Sequence, residues 1–165
     1  MLQLTPSQKG AVVEAEVAVA AIRLELLVLR PMTEGARYDL ALDTGERLLR
    51  LQCKSAWRRG DVLIIPCNTS RHTPRRGYVK TTYTADEIDA IATYSEETDR
   101  CYLIPVRDVA GRSAISLRLA ATRNNQVLKI HWAHDYQFET SLSRDFGLAS
   151  DHPSPAGTSS LKAIG

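Results

Sequence analysis

Arg47-Leu48-Leu49-Arg50-Leu51-Gln52-Cys53-Lys54-Ser55 is the stretch on which the fold turns. Alternate residues of a strand share a face, so Leu49, Leu51 and Cys53 belong to one side and Arg50, Gln52 and Lys54 to the other. The first set is apolar and reads as core. The second keeps three polar groups in mid-strand, although strand-like sequence flanks the run on both sides. Just upstream, Asp43-Thr44-Gly45-Glu46 separates it from a strand-like run over residues 37–42, and has hairpin chemistry because glycine accepts a positive φ. With Thr44 and Gly45 as a two-residue turn, Asp43 pairs with Glu46 and Asp39 lies opposite Arg50. Asp39 then shares a face with Gln52 and Lys54, one diagonal step (roughly 7–8 Å) away. A four-residue loop from Thr44 to Arg47 shifts the register by an even step and keeps that face, whereas an odd loop breaks it. Side chains converging from such positions can share one small cation.

Outward from this hairpin, residues 8–24 read as a helix with Ser7 as its N-cap, followed by a short strand within residues 25–30 that ends at Pro31. Residues 62–67 read as a third hairpin-connected strand and residues 68–82 as a loop. Thr84 is placed to cap a helix over residues 86–94, with acids in its first turn where the helix dipole favours them. Two further strands are predicted at residues 101–106 and 114–119, and a helix at 127–138. The order is helix, strands in a meander, helix, strand, strand, helix: an α/β domain with a mixed central sheet flanked by helices around one core. It occupies residues 1–148, and the Ser/Pro/Gly/Ala-rich residues 149–165 read as a flexible C-terminal tail.

With 165 residues and 18.3 kDa the chain has the size of one domain. Its 44% hydrophobic and 24% charged residues exclude a largely disordered chain. No apolar run approaches the roughly 18 residues that a bilayer span needs, so no membrane association is expected. Met1 to Gln8 lacks the basic start and apolar stretch of a secretory leader. Three cysteines, Cys53, Cys67 and Cys101, without CxxC spacing read as reduced thiols, and a cytoplasmic location is the expectation.

Charge is segregated along the chain. Between Trp57 and Lys80, Arg58, Arg59, Arg71, Arg75, Arg76 and Lys80 face one acid, Asp61, a net of +5. Residues 81–104 carry one base against six acids, a net of −5, and residues 105–135 return to +3. Such polarity suits a polyanion on part of the surface, although a charge run alone is more often a solvated face. His131 and His134 stand three apart but lack a third zinc ligand at suitable spacing.

One helix residue joins the strand groups. At about 100° per residue, Lys9, Glu16 and Arg23 gather on one side of the first helix, its expected solvent face. Glu14 falls roughly opposite Arg23, among Ala11, Ala18 and Ala21, and so points toward the sheet. A carboxylate there needs a partner, either a metal ion or a structural ion pair with Lys54 or an arginine.

These residues resemble the PD-(D/E)xK nuclease superfamily, and within it the group I intron homing endonuclease branch in which Gln replaces the acid of the last motif. The resemblance runs through Lys9-Gly10 with Glu14, Pro31 with Tyr38-Asp39-Leu40, and Leu51-Gln52-Cys53-Lys54. It continues in Glu87-Ile88-Asp89 through Tyr94, Cys101 to Val106, and Asn124-Asn125-Gln126, covering about residues 8–138. It implies a restriction-endonuclease-like core and a Mg²⁺-dependent deoxyribonuclease acting on double-stranded DNA, with Mn²⁺ as the alternative ion. It also implies the roles. Asp39 is the central metal ligand, Gln52 stands in for the motif acid, the Cys53 carbonyl adds an oxygen, and Glu14 assists. Lys54 polarises the attacking water, which is where an ammonium stabilises hydroxide and developing charge. Arg58, Arg59, Arg71, Arg75, Arg76 and Lys80 become the DNA-facing residues. A homing-type, sequence-specific enzyme would further be a homo-oligomer, dimer or tetramer, in order to span a long site. A structure-selective junction or repair nuclease, or an inactive DNA-binding module, are the other classes compatible with these residues.

Overall fold

The computed structural model describes residues 3–75, 77–121 and 129–148. Thr5, not Ser7, caps helix α1 (Pro6–Arg23). The Thr5 hydroxyl accepts from the Gln8 N–H (3.3 Å) and the Gln8 side chain accepts from the Thr5 N–H (2.9 Å). This reciprocal capping box puts Pro6 in the first turn, where its missing N–H costs nothing. Strands β1 (Leu27–Leu29), β2 (Leu40–Asp43), β3 (Leu48–Cys53), β4 (Trp57–Arg59), β5 (Val62–Pro66), β6 (Asn68–Thr73), β7 (Gly77–Thr82), β8 (Ala90–Ser95) and β9 (Arg100–Pro105) follow. After them come a short helix α2 (Val106–Val109), strands β10 (Ala114–Arg118) and β11 (His131–Trp132), a 3₁₀ turn (Ala133–Tyr136) and helix α3 (Phe138–Phe146).

The central sheet is mixed and five-stranded, in the order β1-β2-β3-β8-β9, with β3 and β8 parallel and the other neighbours antiparallel. A second sheet has the order β11-β10-β5-β4, and β6-β7 is a separate two-stranded hairpin. On one side of the central sheet, Leu40, Leu42, Leu49, Leu51 and Leu103 pack with Val13, Val17 and Ala21 of α1 and Phe138 and Leu142 of α3. On the other side, Ile91 and Ile104 pack with Leu63, Ile65, Ile115 and Leu117 of the second sheet. The sheet is therefore buried on both faces along β8 and β9, which ties the middle of β3 into a layered core.

Four sequence expectations are corrected. The segment 62–67 does not extend a meander: β5 lies in the second sheet, and β8 occupies the neighbouring position on β3. Residues 86–94 are not a helix, because the chain makes one turn after Thr84 and then enters β8. β8 is buried almost throughout, and strands buried on both faces lose the apolar–polar alternation that betrays them in sequence. The stretch 68–82 is a hairpin, not a loop. In the described part of the helix expected over 127–138, from residue 129 on, β11 and the 3₁₀ turn precede α3. The segment 149–165 and Asn124, Asn125 and Gln126 lie outside the described residues. Among the described residues no helix is long and apolar enough to cross a membrane.

Candidate active site

The hairpin at Thr44 has the four-residue loop. Asp43 pairs with Leu48, and the Thr44 N–H donates to the Arg47 carbonyl (3.0 Å). The Asp43 carboxylate accepts from the Gly45 N–H (2.8 Å), and Gly45 sits at φ +82°, where a Cβ would be strained. The register that would set Asp39 opposite Arg50 is replaced by one in which Leu40 pairs with Leu51. One step further along, Asp39 faces Gln52. The slip is by an even number, so the shared face survives.

Asp39 is held at three points. Its N–H donates to the Leu51 carbonyl (2.9 Å), and its Oδ2 accepts from the Cys53 N–H (2.8 Å) and from Gln52 Nε2. Gln52 Nε2 also reaches the Cys53 carbonyl (3.3 Å). The remaining oxygen, Oδ1, makes no hydrogen bond among the described residues, and Asp39 lines an open cleft of about 180 Å³ together with Glu14, Arg30, Pro31 and Tyr38. Burial pushes the Asp39 carboxyl above the usual carboxylate range. The Cys53 N–H, the Lys54 ammonium, the Gln52 amide and the Arg30 guanidinium pull the other way without cancelling it. A carboxylate in that state gains from a cation.

Lys54 is the next residue along. Its backbone N–H donates to the Ala92 carbonyl (2.9 Å), so the parallel β3–β8 ladder pins its main chain. Its Nζ stands 5.2 Å from the centre of the Tyr83 ring. Glu14 reaches the cleft from α1, as the helix arithmetic predicts, and is ion-paired there with Arg30. Of the partners open in the sequence, an arginine is the one on Glu14 in the structure. Arg50 turns away from Gln52 and Lys54. Its guanidinium takes Asp89 (3.1 Å) and the carbonyls of Ala85 (3.0 Å) and Asp86, clamping the turn before β8. Of the expected outer face of α1, Lys9 and Arg23 are exposed and Glu16 is half-buried, and Val19 and Ile22 are exposed beside them.

The basic block divides. Arg58 and Arg59 are exposed on β4, with Arg58 Nε donating to the Gly60 carbonyl (2.8 Å). Arg75 and Lys80 are exposed on the β6–β7 hairpin, β6 carries Arg71, and Arg76 lies outside the described residues. His131 bonds the Tyr136 hydroxyl (2.9 Å) and His134 lies beside Asp135 (3.4 Å), so the two imidazoles serve different partners. The cysteines are free, and burial pushes their thiols up, to about 11 for Cys67 and about 12 for Cys101. Sequence reasoning missed Arg30, Arg37 and Tyr83, and it assigned Glu87 no role of its own. Arg37 pairs with Glu87 through both carboxylate oxygens (2.8 and 3.2 Å) and stacks on Tyr83.

Among the described residues no three His, Cys, Asp or Glu side chains gather into a metal cluster. A cation in the cleft would rest on Asp39 with the Cys53 carbonyl and, once its amide turns over, Gln52 Oε1, and Glu14 is a second carboxylate within the same lining. That donor set is all hard oxygen, which fits Mg²⁺ or Mn²⁺ and not a thiolate- or imidazole-seeking ion.

The profile of the family described as PD-(D/E)XK endonuclease matches residues 4–139, and the chain belongs to that family. Its fold is shared with a solved bacterial homing endonuclease, I-Ssp6803I, at a TM-score of 0.71 and 24% identity. The likeness covers 87% of this chain and 96% of that one. No curated protein matches the chain. The resemblance to the PD-(D/E)xK superfamily and the mixed sheet with flanking helices both stand, and the domain is a member of this endonuclease family.

Proposed function

We propose that the protein hydrolyses phosphodiester bonds in double-stranded DNA with a bound divalent cation, Mg²⁺ or Mn²⁺, and cuts at a defined sequence as a homing-type enzyme. The observation that carries the reading is the Asp39 carboxylate, which lines the cleft, is fixed through Oδ2 by Gln52 and Cys53, keeps Oδ1 without a hydrogen bond among the described residues, and feels the Lys54 charge. Asp39, the Cys53 carbonyl and Gln52 would hold the ion, which when bound would supply charge neutralisation at the phosphate and acidify a water. Lys54 holds that water's developing negative charge. Glu14 assists when Arg30 releases it, for a guanidinium is itself a phosphate ligand and exchanges readily between the two anions.

Arg58, Arg59, Arg71, Arg75, Arg76 and Lys80 contact the duplex, and arginines on a two-stranded ribbon suit phosphates and guanine edges. Because the two strands of a duplex are related by a dyad, cutting both at one site calls for two copies of the active site, hence a dimer or tetramer. Cleavage of a plasmid library containing random inserts tests the reading. The wild type with Mg²⁺ should cut a small set of related duplex sequences, while Asp39→Ala and Lys54→Ala bind them uncut. Cutting of branched DNA regardless of sequence would instead make it a structure-selective nuclease, and binding with no cleavage in either ion would make it a DNA-binding module.

A further inference from the structure

The Lys54 head group is the one in the candidate site that neither a carboxylate nor a hydrogen bond holds among the described residues. What it has is a ring. Lys54 Nζ lies 5.2 Å from the centre of Tyr83, and the guanidinium carbon of Arg37 lies 4.7 Å from the same centre. Both are within reach of the ring quadrupole, which attracts a cation to the π face.

Tyr83 is 4% exposed and sits in the core cluster with Ile88, Ile91 and Tyr102. A side chain packed that deeply keeps one orientation. Its hydroxyl makes no hydrogen bond among the described residues, so the ring face is what it offers. Arg37 is fixed in turn by its two-pronged pair with Glu87, and it also donates to the Thr82 carbonyl (3.4 Å), the residue just before Tyr83.

We propose that Tyr83 is the positioning residue for Lys54: its ring face orients the ammonium toward the Asp39 cleft, while Arg37 and Glu87 hold the segment that carries the ring. The inference rests on the reading of Lys54 as the catalytic cation and assigns what aims it. A π face suits this task better than a carboxylate. It directs the ammonium without occupying its N–H donors, which stay free for water and phosphate.

The test compares Tyr83→Met, which keeps bulk and loses the π face, with Tyr83→Phe, which keeps the face and loses only the hydroxyl. Single-turnover cleavage and DNA binding are measured for each, together with the Lys54 side-chain resonances, assigned by their loss in Lys54→Arg. In the wild type and Tyr83→Phe, the Lys54 ε-methylene protons should lie upfield of those of the other four lysines, shifted by the ring current. In Tyr83→Met they should move back, and the cleavage rate should fall on the order of tenfold with DNA affinity unchanged. An unshifted Lys54 resonance in the wild type, or Phe and Met variants that cleave alike, would overturn the assignment while leaving the nuclease reading intact. Full activity in Lys54→Ala would overturn the reading of Lys54 as the catalytic cation and this proposal together.

Discussion

The cleft at Asp39 and the basic surface of β4 and the β6–β7 hairpin are built on opposite plans. At the cleft, each group sits on a ladder. Asp39 is tied to Leu51 and Cys53, and Lys54 is tied to Ala92 across a parallel pair packed between two apolar layers. Residues 57–82 carry their charges in the open. Arg58, Arg59, Arg75 and Lys80 are all exposed, and among the described residues β6 pairs only with β7. The difference separates two tasks. Chemistry needs reacting groups held to within a fraction of an ångström, which interior packing supplies. Contact with a long polyanion needs many weak, adjustable charges, which exposed side chains supply. If the division is real, substitutions in the cleft change rates steeply and those on the ribbon change binding gradually.

Asp39→Asn is the strongest way to break it. Cleavage with Mg²⁺ should drop on the order of 10³-fold or more, because the central carboxylate for the ion is gone. Stability should move the other way. Burial holds the Asp39 carboxyl above its unfolded value, so the native protein keeps this proton to higher pH than the unfolded chain does, and stability is lost as pH rises through that window. Without metal at neutral pH, Asp39→Asn should therefore melt above the wild type, with the gap closing below about pH 4, where the unfolded carboxyl is also protonated. Mg²⁺ should raise the melting temperature of the wild type only. A variant that melts lower at neutral pH would mark Asp39 as a structural carboxylate instead.

The same contrast explains what could be read from the chain alone. The face of Asp39, Gln52 and Lys54 follows from a period of two, and an even register slip could not spoil it. Whether Asp39 meets Arg50 or Gln52 depends on hydrogen bonds inside one turn, and the Asp43 side chain settles them by taking the Gly45 N–H. The expected helix at 86–94 failed for a physical reason. Its capping bonds do form, with the Thr84 N–H on the Glu87 carboxylate (3.0 Å) and the Glu87 and Ile88 N–H groups on the Thr84 carbonyl (3.1 Å each). The chain then leaves because the Asp89 N–H goes to the Arg50 carbonyl and starts the parallel ladder. Cap chemistry is local, whereas the strand partner that overrides it lies 39 residues away. Arg30 on Glu14 and Tyr83 under Lys54 were illegible for the same reason: each joins elements whose approach no single-element periodicity records.

Gln52→Glu sharpens the comparison from inside the cleft. A second carboxylate would stand where the amide now donates to Asp39 Oδ2, so a hydrogen bond becomes a repulsion unless a cation separates the two. Divalent-ion affinity measured by calorimetry should rise on the order of tenfold, since the hard ion gains a charged ligand. The metal-free variant should melt below the wild type at neutral pH and recover when Mg²⁺ is added. Unchanged ion affinity would place the ion away from Gln52 and leave that residue as a brace for Asp39.

On the exposed side, Arg58→Ala, Arg59→Ala and Lys80→Ala should each weaken DNA binding only a few-fold at moderate salt. For every phosphate contact removed, the slope of log binding constant against log salt should flatten by about 0.9. Their cleavage rates at saturating DNA should match the wild type, because none of the three touches the cleft. The slope matters more than the affinity. A residue that reads a base edge costs affinity for one sequence and leaves the salt dependence nearly unaltered, whereas a phosphate contact costs all sequences alike and takes its counterion with it. Sorting the three residues this way locates sequence reading on β4 or on the hairpin. A slower rate at saturation would show that these charges reach the reacting phosphate, and the division between the two regions would fail.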